Sequence, residues 1–237
     1  MRSFIRHPAL SVAALLVCSV STVACSQQQE AARRIEGGGV HVAGWTGVPD
    51  PGRGGATSSI SDARFVSEGK GFHVTTGPAA TFWNPANKAS GDYTVKATFT
   101  EPRYMNLNDH PHPYGIMIGG NDMGTAQQSY LYCAAYGNGS FIVRGFGPQP
   151  FRMNGGRGET NDAVHKAAGK DQPVTQEIAM SGKGDSVSCA INGKTVATYP
   201  KSAVVGAGKL KSTDGVYGVR FAHNTDAAVT GLTMTKP

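Results

Sequence analysis

Along most of this chain, apolar residues recur at every second position in short runs, and glycine, proline, asparagine and aspartate break the runs apart. A period of two is that of a strand with one face buried and the other wet. It is clearest from Tyr93 to Phe99, where Tyr93, Val95, Ala97 and Phe99 fall on one face and Thr94, Lys96 and Thr98 on the other. Tyr114 to Ile118 predicts a second strand, ending at Gly119-Gly120, where missing side chains allow a bulge or sharp turn. Tyr130 to Tyr136 and Ser140 to Phe146 flank Gly137-Asn138-Gly139, and an Asn-Gly pair between alternating runs signals a hairpin. With Asn138 and Gly139 as the two central residues, Tyr136 pairs with Phe141 and Ala134 with Val143. That register puts Tyr130, Tyr132, Ala134 and Tyr136 on one face, and Leu131, Cys133, Ala135, Ile142 and Arg144 on the other.

Val174 to Met180 then leads through Gly182-Lys183-Gly184 into Ser186 to Ile191, which turns at Asn192-Gly193 into Lys194 to Tyr199. Val216 to Phe221 and Ala228 to Thr235 close the series, with a surface connection between residues 200 and 213 and room for a helical turn at Asn161 to Lys166. Residues 40 to 60, with Trp45 among Gly and Pro, are expected to wrap over a sheet edge. No long helical period and no internal repeat interrupts the pattern, so the expected fold is all-β, a two-layer antiparallel sandwich.

The N-terminus follows a different rule. Arg2 and Arg6 precede the apolar run Ala9 to Val17 and the small-residue stretch Ser19 to Ala24, the three-part layout of a secretory signal peptide. Residues 1–24 are therefore expected to be removed on export, and the apolar run, diluted by Ser19, Ser21 and Thr22, is too short to span a bilayer. Thr22-Val23-Ala24-Cys25 fits either a lipobox, with Cys25 acylated, or a simple small-residue cleavage site. The first places the protein on a lipid anchor in the cell envelope; the second leaves it soluble, periplasmic or secreted. Residues 25–40 read as a flexible polar tether and 41–237 as the folded domain.

Export bears on the cysteines. With Cys18 in the signal and Cys25 at its boundary, Cys133 and Cys189 remain, a pair that an oxidising compartment can bridge and that strand interiors can equally hold as free thiols. The net charge is +6, and +4 without Arg2 and Arg6. Lys and Arg are scattered singly, so the basic stripe of a nucleic-acid-binding surface is missing.

The ordered set Gly91-Asp92-Tyr93-Thr94-Val95, Tyr114-Gly115-Ile116 with Gly119-Gly120, the Tyr130 to Phe146 hairpin, Ile191-Asn192-Gly193-Lys194 and Asp214-Gly215-Val216-Tyr217-Gly218-Val219 resembles the concanavalin A-like lectin/glucanase superfamily. The resemblance implies a jelly-roll sandwich of the kind found in laminin-G-like and 3-keto-disaccharide hydrolase-like domains, and a carbohydrate ligand. It does not carry the glucanase activity. Those enzymes set paired carboxylates along one strand, and none of Glu30, Glu36, Glu68, Glu101, Glu159 and Glu177 has an acidic residue two positions later.

The candidate ligand contacts are Arg144, a strand-central charge that packing does not explain, with Trp83, Tyr104 and His112. Tyr132 and Tyr136 are expected in the core between the sheets. A catalytic reading would use His110, His112, Asp109 or Asp122 as acid and base. His110 and His112 with a carboxylate have the donors for zinc, although the prolines around them favour an ordinary loop role. Asn121, Asp122, Asn224 and Asp226 offer oxygen for a structural Ca²⁺, an assignment that side-chain turns explain equally well. No cofactor is expected. Three functions follow: a non-catalytic carbohydrate-binding lipoprotein, a glycoside-active hydrolase of the 3-keto-disaccharide type, or an envelope module that binds a protein partner.

Overall fold

The structure is a computed structural model that describes residue 1, residues 31–51 and residues 57–237. The expected signal peptide and Cys25 lie outside the described residues. Two curled sheets face each other. The first runs in the order β1 (Gly39–Val40), β3 (Ala63–Glu68), β4 (Gly71–Thr76), β16 (Asp226–Thr235), β6 (Tyr93–Glu101), β12 (Val174–Lys183), β13 (Ser186–Ile191), β14 (Lys194–Pro200). The second runs β10 (Pro150–Arg152), β9 (Ser140–Phe146), β8 (Ser129–Ala135), β7 (Tyr114–Asn121), β15 (Gly215–Phe221), β5 (Ala80–Ala89), β2 (Thr46–Pro49), with β11 (Glu159–Thr160) also paired to β9. Apart from the short parallel β1–β3 pair, neighbours are antiparallel. This is the two-layer antiparallel sandwich that the alternation predicts.

Phe65 and Phe99 from the first sheet meet Phe82, Tyr114 and Phe221 from the second, with ring centroids 4.8 Å apart for Phe65–Phe82 and 6.0 Å for Phe99–Phe221. All five rings are fully buried. Cys133 on β8 and Cys189 on β13 are joined by a disulfide between the sheets.

The two outer faces differ, and the difference locates the site. On the first sheet the outer face is polar: Thr94 meets Ser181, Thr100 meets Thr175, and Lys96 pairs with Glu177 at 3.2 Å in the open. On the second sheet, every residue of β8 and all of β7 except Asn121 are buried. A strand buried on both faces has something dry on its outer side as well.

Three expectations change. The turn after β8 has Gly139 at φ +90° while Asn138 keeps negative φ, and Tyr136 N–H bonds Ser140 C=O at 2.9 Å. This is a three-residue loop with a glycine bulge, so Ala134 pairs with Ile142 and Tyr132 with Arg144, one residue away from the expected register. Because the side-chain period is two, that single step carries Ile142 and Arg144 onto the face of the tyrosines. Secondly, Tyr130 and Tyr132 pack on the outer side of the second sheet, with Tyr136 against them, and not between the sheets. Thirdly, residues 31–40, read as tether, dock onto the sandwich: buried Asn224 donates to Ala31 C=O and accepts from Arg33 N–H, and β1 pairs with β3. The bulge expected at Gly119-Gly120 is present, with Gly119 at φ +62°.

The disulfide closes a loop of 56 residues. In a chain-entropy account such a link is worth about 4 kcal/mol. Replacing both cysteines by alanine is expected to lower the urea midpoint by the equivalent of about 2–4 kcal/mol while leaving the fold's CD spectrum unchanged.

Candidate ligand-binding face and histidine cluster

The dry outer face of the second sheet is a second apolar cluster, made by Trp83 on β5, Met117 on β7, Tyr130, Tyr132 and Ala134 on β8, and Ile142 and Phe146 on β9. At its centre, alternation along β15 puts Val219 and Phe221 into the core and turns Arg220 outward. The guanidinium is buried, so it needs a counter-charge that water cannot supply. Asp50, just beyond β2, provides it with two oxygens: Nη1 donates to Oδ1 at 2.6 Å and Nη2 pairs with Oδ2. Nη1 also donates to Thr81 Oγ1 at 3.0 Å, and Thr81 meets the Tyr130 hydroxyl at 3.0 Å. Arg220 Cζ lies 5.1 Å from the Tyr132 ring centre and 5.4 Å from that of Phe146, the geometry of a cation held between π faces. Burial opposes the charge on Arg220, and Asp50 together with Tyr130 and Tyr132 more than offsets that. Burial likewise pushes the Tyr130 phenol well up.

The network closes on itself, but its rim reaches the surface. Trp83, Tyr132 and Phe146 keep 6%, 7% and 8% of their surface, whereas Tyr130 keeps none. Arg144 stands directly opposite Tyr132 on one side and Arg152 on the other. Its Nη2 donates to Gly156 C=O at 2.7 Å, while its Nε is buried without a hydrogen-bond partner among the described residues. A polar atom left so is a donor for an incoming acceptor. Trp83 lies inside β5 with pairing on both sides, to β15 and β2.

The other candidates lie elsewhere. Tyr104 is buried against the turn: a Cβ on Gly137 would meet its ring at 2.6 Å. His112, also buried, belongs to a separate cluster with His110 and His223. The His110 and His112 rings are 4.3 Å apart, and the His112 and His223 rings 4.0 Å. His112 Nδ1 bonds the His223 carbonyl, its Nε2 faces His110 Nε2 at 2.8 Å, and His110 Nδ1 pairs with Asp109. Burial first, and then the neighbouring histidines, push His112 down to about 3. His110 also lines a shallow cleft with Tyr136, Asn138 and Ser140, so the cluster adjoins the hairpin end of the aromatic face.

The oxygen set considered for Ca²⁺ does not come together. Asn121 donates to the Gly119 and Asp214 carbonyls, Asp122 pairs with Lys211, Asn224 holds residues 31 and 33, and Asp226 accepts from His73 at 2.6 Å and Thr75 at 2.9 Å. Each side chain is used in fastening its own segment. Among the described residues, the three histidines are the group whose ligand atoms do converge, within 4.8 Å of one another.

Arg220 and Asp50 were not singled out by sequence reading, and His223, next to the Asn224 and Asp226 considered for Ca²⁺, was given no role of its own. Arg220 did leave a trace, a charge flanked by Val219 and Phe221 inside an apolar strand, which is the same signal that marked Arg144. Asp50 left none, and nothing local joined His223 to His112, since these partners lie 170 and 111 residues away.

No protein-family model matches the sequence, and no curated protein does. The fold nevertheless has solved counterparts among β-sandwich proteins. It is similar to the carbohydrate-binding module CBM66 from Bacillus subtilis, with a TM-score of 0.54 at 10% identity over 84% of this chain and 99% of that one. It is also similar to a Bacillus subtilis protein of unknown function with a galectin-like fold, with a TM-score of 0.54 at 12% identity over 81% and 89% of the two chains. At such identities the likeness is one of fold.

Two predictions follow from these contacts. Arg220→Ala leaves Asp50 without its partner and is expected to cost roughly 3–5 kcal/mol in chemical denaturation. The other concerns His73, whose pKa is raised to about 9 by its hydrogen bond to Asp226, against the effect of burial and with help from Glu68. A raised histidine contributes stability that is complete below its unfolded value of 6.5 and lost as pH climbs through about 9. Discounted for solvent at its partly exposed ring, the loss in urea titrations across that window should be about 1–2 kcal/mol, and absent in His73→Gln.

Proposed function

We propose that this protein binds a carbohydrate chain on the outer face of its second sheet, and that it does so as an exported module without chemistry of its own. The observation that carries the reading is the concentration of Trp83, Tyr132 and Phe146 with Arg144 on one sheet face turned away from the core. Ring faces and edges suit the C–H surfaces of a pyranose, and a guanidinium with an unused buried donor suits its hydroxyls or a carboxylate. The fold likeness to a carbohydrate-binding module agrees with this use of the scaffold. Asp50, the carboxylate nearest the centre, is engaged by Arg220 and is not a free acid or base. The signal-peptide-like layout of residues 1–24 and the lipobox-like position of Cys25 support a lipid anchor in the cell envelope as the place of action.

A second reading has one observation in its favour. Three of the four groups named for acid and base, His110, His112 and Asp109, meet beside the cleft, while Asp122 is held by Lys211. Turnover of a bound glycoside that disappears in His110→Ala while binding persists would put a hydrolase first.

The test is a glycan array and polysaccharide pull-down with the chain from residue 25 onward, since residues 31–40 belong to the fold. Saturable binding to one glycan class is expected, weakened about tenfold or more by Arg144→Ala and by Trp83→Ala, each loss corresponding to about 1.4 kcal/mol or more. Binding that neither substitution disturbs would place the ligand elsewhere on the molecule.

A further inference from the structure

We infer that His110, His112 and His223 form a binding site for a single divalent metal ion of the zinc class, beside the hairpin end of the aromatic face. The inference starts from where the ring protons must be. His112 Nδ1 faces a backbone carbonyl, which only accepts, so Nδ1 carries the proton and donates to the His223 C=O. That leaves a lone pair on His112 Nε2. His110 Nδ1 faces the Asp109 carboxylate, again an acceptor, so its proton also sits on Nδ1 and its Nε2 is likewise a lone pair. The two Nε2 atoms stand 2.8 Å apart, lone pair towards lone pair, and only a positive centre that both can share makes such a contact favourable.

The surroundings fit a metal. A histidine that ligates through Nε2 ordinarily donates its Nδ1–H to a carboxylate or a backbone carbonyl, and here one ring has each kind of partner. The third imidazole completes a set whose ligand atoms lie within 4.8 Å of one another. Zinc binds imidazole at about 2.0–2.1 Å, so two ligands of one tetrahedron stand about 3.3 Å apart. The His110–His112 pair has to open by only about half an ångström, a movement available to His110, which is exposed on the 103–113 loop. Imidazole nitrogen alone, with no thiolate and no oxygen cage, selects zinc, copper or nickel over calcium or magnesium. Three protein ligands leave a fourth position, which the exposure of His110 places on the solvent side, beside the cleft. A proton shared between the two rings is the competing occupant, and it needs no third histidine.

The experiment is zinc titration calorimetry of the chain from residue 25 onward, after chelator treatment, with cobalt substitution as a spectroscopic reading. One ion per chain is expected, with visible absorption of tetrahedral cobalt and a rise in Tm of roughly 5 °C at a hundredfold excess over Kd. Affinity should fall at least tenfold in each of His110→Ala, His112→Ala and His223→Ala, and by about 10–100-fold in Asp109→Asn, which removes only the carboxylate behind His110. His112 is buried, so His112→Ala can fail to fold; His110, being exposed, supplies the variant whose metal-free CD and Tm match the wild type. Absence of stoichiometric binding would overturn the site and leave the shared proton. Zinc binding of equal strength in His110→Ala would overturn it too, since that zinc would sit on surface histidines such as His41 or His165. Both readouts are independent of any glycan, so failure of the carbohydrate reading leaves the result intact.

Discussion

A guanidinium in the middle of a sheet cannot rely on water, and the need to pair Arg220 organises much of the second sheet's outer side. Asp50 is drawn in from beyond β2, Thr81 is engaged from β5, and through Thr81 the Tyr130 hydroxyl is satisfied in a site with no solvent. Tyr132 and Phe146 lie against the charge and screen it from water on the remaining side. Buried ion pairs of this sort add little net stability over an apolar replacement, but they demand one arrangement and punish others. The outer face is thereby held as a fixed platform of rings, instead of an adaptable surface.

That platform explains why one half of the sandwich carries the functional candidates. The first sheet turns threonine, serine, lysine and glutamate outward in cross-strand pairs, a surface content with water. The second is dry on both faces along β7 and β8 and lets three aromatic edges and Arg144 reach the surface. The histidine cluster sits where this face meets the β8–β9 turn, with Tyr136 common to the cleft and to the aromatic cluster. A chain laid along the face towards the turn would pass from rings and guanidinium to imidazoles.

Much of the architecture was legible in the residues because period-two alternation survives wherever one face is buried. β6, β9 and β13 follow their apolar runs closely. The stretch 63–89 was harder to read. β5 begins apolar at Ala80 but continues through Asn84, Pro85, Asn87 and Lys88, so its second half resembles a loop although it pairs with β15. The hairpin was seen, but its register turned on whether Asn138 takes positive φ, a choice that the pair Asn138-Gly139 leaves open. One step of register then decided which face Arg144 joined. The cysteines were visible as a pair, while the bridge depended on a Cα separation of 6.1 Å that only the packed sheets create. The histidine trio was legible in two members only, because His223 arrives from the far end of the chain through the β15–β16 turn.

The central claim is that the outer face of the second sheet is where ligand meets protein, and NMR titration with a bound oligosaccharide tests it most directly. The account predicts that the Trp83 indole N–H, the Arg144 Nε–H and the ring protons of Tyr132 and Phe146 shift together and saturate, while Thr94, Lys96 and Glu177 on the opposite outer face stay still. Shifts confined to that polar face, with Trp83 and Arg144 unmoved, would contradict it.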